Sequence, residues 1–113
     1  MASIFRGDVW NADLDPIRGH EQAGKRPVLI VSTDAFSSGS AELAVVLPIT
    51  SKAKGIPWHV PVKAGEAGLR TQRYVMCEMV RSVAHERLTK RLGAVSEATM
   101  REVEARLRIL FEL

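Results

Sequence analysis

Val28-Leu29-Ile30-Val31 is an unbroken aliphatic run, mostly β-branched, entered through Arg26-Pro27 from a polar loop. A run this short, bounded by turn formers, reads as a strand. With no polar position to offer to water, it must be buried on both faces. Leu43–Ile49 has the same character. Pro48 is expected to place its end at an edge or a bulge, because proline donates no ladder hydrogen bond.

Three more segments fit strands. Asp8–Leu14 alternates, with Trp10, Ala12 and Leu14 on one face and Asn11 and Asp13 on the other, until Asp15-Pro16 ends it. Trp58–Val62 sets Trp58, Val60 and Val62 against His59 and Pro61, and Tyr74–Val83 is the last long candidate. Lys52–Pro57 and Gly65–Thr71 read as loops, with Gly68 available for a positive φ.

Ser96 then opens a helix. It can act as N-cap, Glu97 suits the first turn, and Met100, Val103, Leu107, Leu110 and Phe111 share one face. Glu102 with Arg106 and Glu104 with Arg108 are spaced as i,i+4 pairs. Five strands and one amphipathic helix predict a mainly β fold, a small, strongly bent antiparallel barrel with the helix packed against it. At 113 residues the expectation is a single domain over 1–113, burying about two-thirds of the surface its unfolded chain exposes.

Composition excludes several classes. The chain is 46% hydrophobic and 26% charged, as folded soluble proteins are. No run approaches the ~18 apolar residues of a membrane span, and MASIFRGDVW lacks the apolar core of a signal peptide. Cys77 is the only cysteine, so no intrachain disulfide forms; it sits in an apolar run and reads as a small buried hydrophobe. A cytoplasmic location without membrane contact is the expectation. Sixteen Lys and Arg against 13 Asp and Glu leave a net charge of +3, a mild bias toward polyanions.

Chemistry concentrates in one place. GHEQAGKRPVLIVS, Gly19–Ser32, gathers His20, Glu21, Gln22, Lys25 and Arg26 between flexible glycines and runs straight into the buried strand. An acid, an amide, an imidazole and two cations so close together suit a phosphate, and the strand can hold Arg26 rigidly.

The chain resembles the MazF/PemK family, the ribonuclease toxins of toxin–antitoxin pairs. RGDVWNADLDP resembles the family's opening strand, GHEQAGKRPVLIVS its signature loop and second strand, and LPITSK its third strand and active-site turn. CEMVRSV resembles the strand that usually reads (D/E)QxRSxD, and EARLRIL the closing helix. The resemblance implies an SH3-like five-stranded barrel and a symmetric homodimer. It further implies cleavage of single-stranded RNA with no metal or cofactor, neutralised by a cognate antitoxin whose extended tail lies in the RNA groove.

Such cleavage needs a base for the 2′-hydroxyl, a cation for the phosphorane-like transition state and an acid for the leaving 5′-oxygen. Arg26 corresponds to the family's catalytic arginine; its planar fork suits two phosphate oxygens, and its high pKa makes it a stabiliser rather than a base. Thr50 matches the second catalytic position, with Ser51 as helper. His20 has the pKa for acid–base work and occurs at this position in part of the family. Glu78 keeps the family's acid, expected to orient a neighbour, and Arg81 matches its arginine. Met79 departs from the usual glutamine, and Met76 from an arginine that some members carry.

Glu21 and Gln22 are expected to brace Arg26 and, with Lys25, Ser51, Lys52 and Arg81, to contact substrate; Lys54 is a further phosphate contact. Trp10 and Trp58 read as core rather than base-stacking residues, and His59 and His85 as solvent-facing or structural. The alternative is a non-catalytic toxin of the same fold that inhibits DNA gyrase by binding. The Arg26-Pro27 junction and the Pro48-Ile49-Thr50 turn favour the nuclease.

Overall fold

The computed structural model describes residues 3–14 and 24–113. Strands β1 (Asp8–Asp13), β2 (Lys25–Ile30), β3 (Leu43–Thr50), β4 (His59–Val62), β5 (Arg73–Met76), β6 (Arg81–Ala84) and β7 (Leu88–Ala94) are joined by a short helix α1 (Asp34–Ser37) and closed by α2 (Glu97–Phe111). Every pairing is antiparallel, in the order β4-β5-β3-β2-β1-β7, with β6 also on β3. The mainly β fold with a C-terminal helix is as the sequence predicts. The strand count is not five, and β4 and β7 stand at the two ends of an open order rather than closing a barrel.

Alternation along the central strands builds two clusters. Val9, Leu29, Leu47, Ile49, Val60, Val62 and Val75 point to one side, where Val103 of α2 joins them and Met100, Leu107 and Leu110 pack against them. Trp10, Ala12, Val28, Ile30, Ala44, Val46 and Val83 point to the other. Strand β2 is therefore buried on both faces, with Val28, Leu29 and Ile30 fully enclosed. Phe111, placed on the core face by its spacing, is instead 56% exposed. It ends the helix, and Glu112 leaves it in the left-handed region.

Strand β3 is the hub, and Pro48 explains how. One edge of β3 pairs with β2; the other pairs with β6 through Leu43–Val46 and with β5 through Ile49 and Thr50. Val31 N–H donates to the Val45 carbonyl, so antiparallel alternation makes Val28–Pro48 a pair without hydrogen bonds to β2. The missing N–H thus faces the other edge, where β6 has left and β5 has not begun. The strand runs to Thr50, one residue past the expected Ile49, and Pro48 sits at an interruption of that edge.

The same edge breaks the predicted Tyr74–Val83 strand in two. Residues 76–80 span what only Leu47 and Pro48 span on β3, three residues too many for a continuous ladder. The excess forms a 3₁₀ turn at Cys77–Met79. Strand β7 was not apparent in the sequence either. Its Thr89, Lys90 and Arg91 are exposed, and two register shifts against β1 erase a clean alternation.

Helix α2 starts as predicted. Ser96 Oγ accepts from the Thr99 N–H at 3.2 Å, while Glu66 accepts from Ser96 N–H and, at 2.7 Å, from the Thr99 hydroxyl. Gly68 adopts φ +74°, and a Cβ there would lie 2.2 Å from the Leu92 carbonyl, so only glycine lets this turn lie on β7. Glu102 pairs with Arg106 as expected, but Glu104 reaches Arg6 at 2.8 Å rather than Arg108. Among the described residues no helix is long and apolar enough to cross a membrane.

Candidate active site

Arg26 sits on β2 opposite Ala12 of β1. The β2–β3 register pairs Val28 with Pro48; carried two residues further, it faces Arg26 with Thr50. Thr50 pairs with Tyr74 on β5, and Tyr74 with Pro61 on β4. The neighbouring Ile49, Val75 and Val60 are buried on the opposite side, so Thr50, Tyr74 and Pro61 form one row on the side of the sheet that also carries Arg26 and the second cluster.

Thr50 is buried at the end of its strand. Its Oγ1 accepts from the Lys52 N–H at 3.2 Å, which pins the rotamer and leaves the hydroxyl hydrogen to donate elsewhere. The same turn puts Ser51 and Lys52 in solvent, with Lys54 also exposed. Arg81, paired with Val46, lies on the same face as Thr50, four residues away along β3. Lys25 falls on the opposite side of β2 from Arg26, exposed and across from Asp13. His20, Glu21 and Gln22 lie outside the described residues.

The broken ladder has a consequence for Glu78. Lifted out of the sheet on the Cys77–Met79 turn, its carboxylate reaches His59 Nε2 at 2.8 Å. His59 lies two residues from Pro61 on β4, on the face that carries Thr50. Its side chain is only 4% exposed. Nδ1 is buried without a hydrogen-bond partner among the described residues. The expectation that Glu78 orients a neighbour thus meets a particular partner, one the sequence reading had set aside. Alternation had already put His59 on the polar face of its strand; which residue it meets there depends on a turn 19 residues away.

His85 is elsewhere. Its Nε2 lies 3.3 Å from the Leu43 carbonyl, at the opposite end of β3 from Thr50. There it lines a cavity of about 440 Å³ with Ile4, Phe5 and residues of α1. Trp10 is core, its indole N–H on Asp8, and Trp58 is half-buried in the turn before β4. Cys77 is enclosed, and burial pushes its thiol up to about 11, too high for a thiolate nucleophile at neutral pH. Among the described residues no group of three or more His, Cys, Asp or Glu is placed to hold a metal ion.

Residues 5–111 match the family described as PemK-like, MazF-like toxin of type II toxin–antitoxin system. Endoribonuclease MazF9 of Mycobacterium tuberculosis is 35% identical over 113 residues, covering 96% of each chain. The crystal structure of MazF from Deinococcus radiodurans superposes with a TM-score of 0.89 at 29% identity, covering all of both chains. An endoribonuclease in complex with its cognate antitoxin, from a mycobacterial species, gives 0.79 at 25% identity, covering 100% of this chain and 97% of that one.

Proposed function

Because the chain belongs to the PemK-like, MazF-like toxin family of type II toxin–antitoxin systems, we propose that it is a sequence-selective endoribonuclease of single-stranded RNA. Attack of the 2′-hydroxyl on the adjacent phosphate, without metal, leaves a 2′,3′-cyclic phosphate and a 5′-hydroxyl. Dependence on that hydroxyl makes RNA the substrate and spares DNA.

The observation that carries the reading is the β2–β3 register, which pairs Val28 with Pro48 and so directs Arg26 and Thr50, each two residues beyond that pair, to the same side of the sheet. Two oxygens of the scissile phosphate fit the guanidinium fork, which stabilises the charge of the transition state. The Thr50 hydroxyl, held by Lys52 N–H, donates to the same phosphate or orients the 2′-hydroxyl. Glu78 acts by fixing His59, two residues along β4 from that row. Lys52, Lys54 and Arg81 give the outgoing strand its phosphate contacts.

The antitoxin-bound relative supports neutralisation by a cognate antitoxin; in this reading the antitoxin covers this face, and the protein works as a cytoplasmic homodimer. The test is cleavage of a long natural transcript in EDTA by the free wild-type protein and by Arg26→Ala, with product ends mapped. Cyclic phosphate termini that vanish in the variant are expected. Absence of cutting by folded wild-type protein would remove the nuclease reading and leave gyrase inhibition by binding to be tried.

A further inference from the structure

Tyr74 is the chain's only tyrosine, and it is the direct cross-strand neighbour of Thr50 on the β3–β5 ladder. Directly opposed residues on one face stand about 5 Å apart at Cβ, within reach of one nucleotide step. Val75 beside it is fully buried in the core, which fixes Tyr74 on the opposite side of β5, the side that carries Thr50. The ring is half-buried. Gln72 Nε2 donates to its hydroxyl at 3.2 Å, tethering its tip along β5. On the far side stands exposed Pro61 of β4.

The other aromatics do not share this position. Trp10 is enclosed, Phe5 lines the cavity by α1, Phe36 lies in α1 and Phe111 ends α2, and Trp58 stands half-buried in the turn before β4, outside the β4–β5 register. A half-buried aromatic beside exposed Pro61 and one strand from the group that contacts a phosphate suits a nucleobase. Proteins that bind single-stranded nucleic acid place bases on such side chains.

We propose that Tyr74 is the stacking platform for a nucleobase flanking the scissile phosphate. The inference rests on the ribonuclease reading and adds to it a residue that binds base rather than phosphate. Stacking tolerates any base, so Tyr74 contributes affinity at one position without itself reading sequence.

The test uses a short single-stranded RNA spanning a mapped cleavage site, with 2′-deoxyribose at the attacking nucleotide so that it binds without being cut. Affinity is measured in EDTA for wild type, Tyr74→Phe, Tyr74→Leu and Tyr74→Ala, each with intact RNA and with RNA lacking the base on one or other side of the cut. Tyr74→Phe should bind within about two-fold of wild type, and Tyr74→Ala about ten-fold more weakly. Removing the stacked base should weaken wild type by a similar factor and leave Tyr74→Ala unchanged.

Losses that multiply at both positions, or wild-type affinity in Tyr74→Leu and Tyr74→Ala at unchanged melting temperature, would overturn the proposal while the nuclease reading stands. A wild-type protein that cuts no RNA overturns both.

Discussion

His59 Nε2 lies 2.8 Å from a carboxylate oxygen of Glu78, and the two come together because three extra residues break the ladder between β5 and β6. A continuous strand would have left Glu78 in register with β3, committed to one face of the sheet. The turn instead swings it to an imidazole on β4. Bulges beside functional sites re-aim side chains in this way.

That contact predicts how Glu78 variants behave. Glu78→Gln keeps a hydrogen-bonding oxygen for His59, whereas Glu78→Ala releases the ring into the RNA path. Cleavage by the alanine variant should fall about 10- to 100-fold, the cost of a misplaced group near the reaction, with the glutamine variant in between. Single-turnover rates across pH 6–8 test this; equal rates for both variants would mean that the contact does not position His59.

Thr50 can be separated into shape and hydroxyl. Thr50→Val keeps the β-branched fit at the strand end but loses the oxygen that accepts from Lys52 N–H; Thr50→Ser keeps the oxygen. The valine variant should lose about 100-fold or more in kcat, the scale of one lost oriented hydrogen bond in a transition state. The serine variant should stay within about ten-fold of wild type. Steady-state cleavage with melting curves alongside distinguishes chemistry from unfolding.

Glu66 is a stability determinant remote from the chemistry. Its carboxylate satisfies Ser96 N–H and the Thr99 hydroxyl at the start of α2. Glu66→Ala should destabilise the fold by about 1 to 2 kcal/mol through loss of a helix cap and its favourable charge. Urea unfolding reports the loss, and RNA cleavage by the remaining folded protein should be unchanged.

Cys77 makes stability fall at alkaline pH. Burial raises its thiol from 9.0 to about 11, so between those values the unfolded chain releases a proton that the folded chain retains. Stability is unaffected by this group below about pH 9 and declines as pH rises toward 11, by about 2 to 3 kcal/mol in all. Urea unfolding at pH 8 and pH 10.5 should therefore show a larger drop for wild type than for Cys77→Ala. Equal drops would mean that the thiol is not held neutral by its surroundings.

Much of this protein is local in origin. The alternation of Asp8–Leu14 and Trp58–Val62, the unbroken run at Val28–Val31 and the Ser96 cap each carry their structure within a few residues. Such signals survive without knowledge of the partner. Arg26 was likewise legible as a candidate, because a polar loop meets a buried strand there, whereas Thr50 became one only through the family resemblance.

Tertiary structure decided the rest, because it depends on pairings distant in the chain. Nothing near Pro48 announces that two different strands share the edge of β3, yet that sharing lets a proline sit mid-strand and splits Tyr74–Val83. Leu88–Ala94 has no alternation of its own, and only pairing with β1 makes it a strand. Alternation could assign His59 and Tyr74 each to a face of its strand. Only the register of β3, β4 and β5 brings those faces together beside Thr50, since cross-strand neighbours are set by pairing rather than by sequence distance.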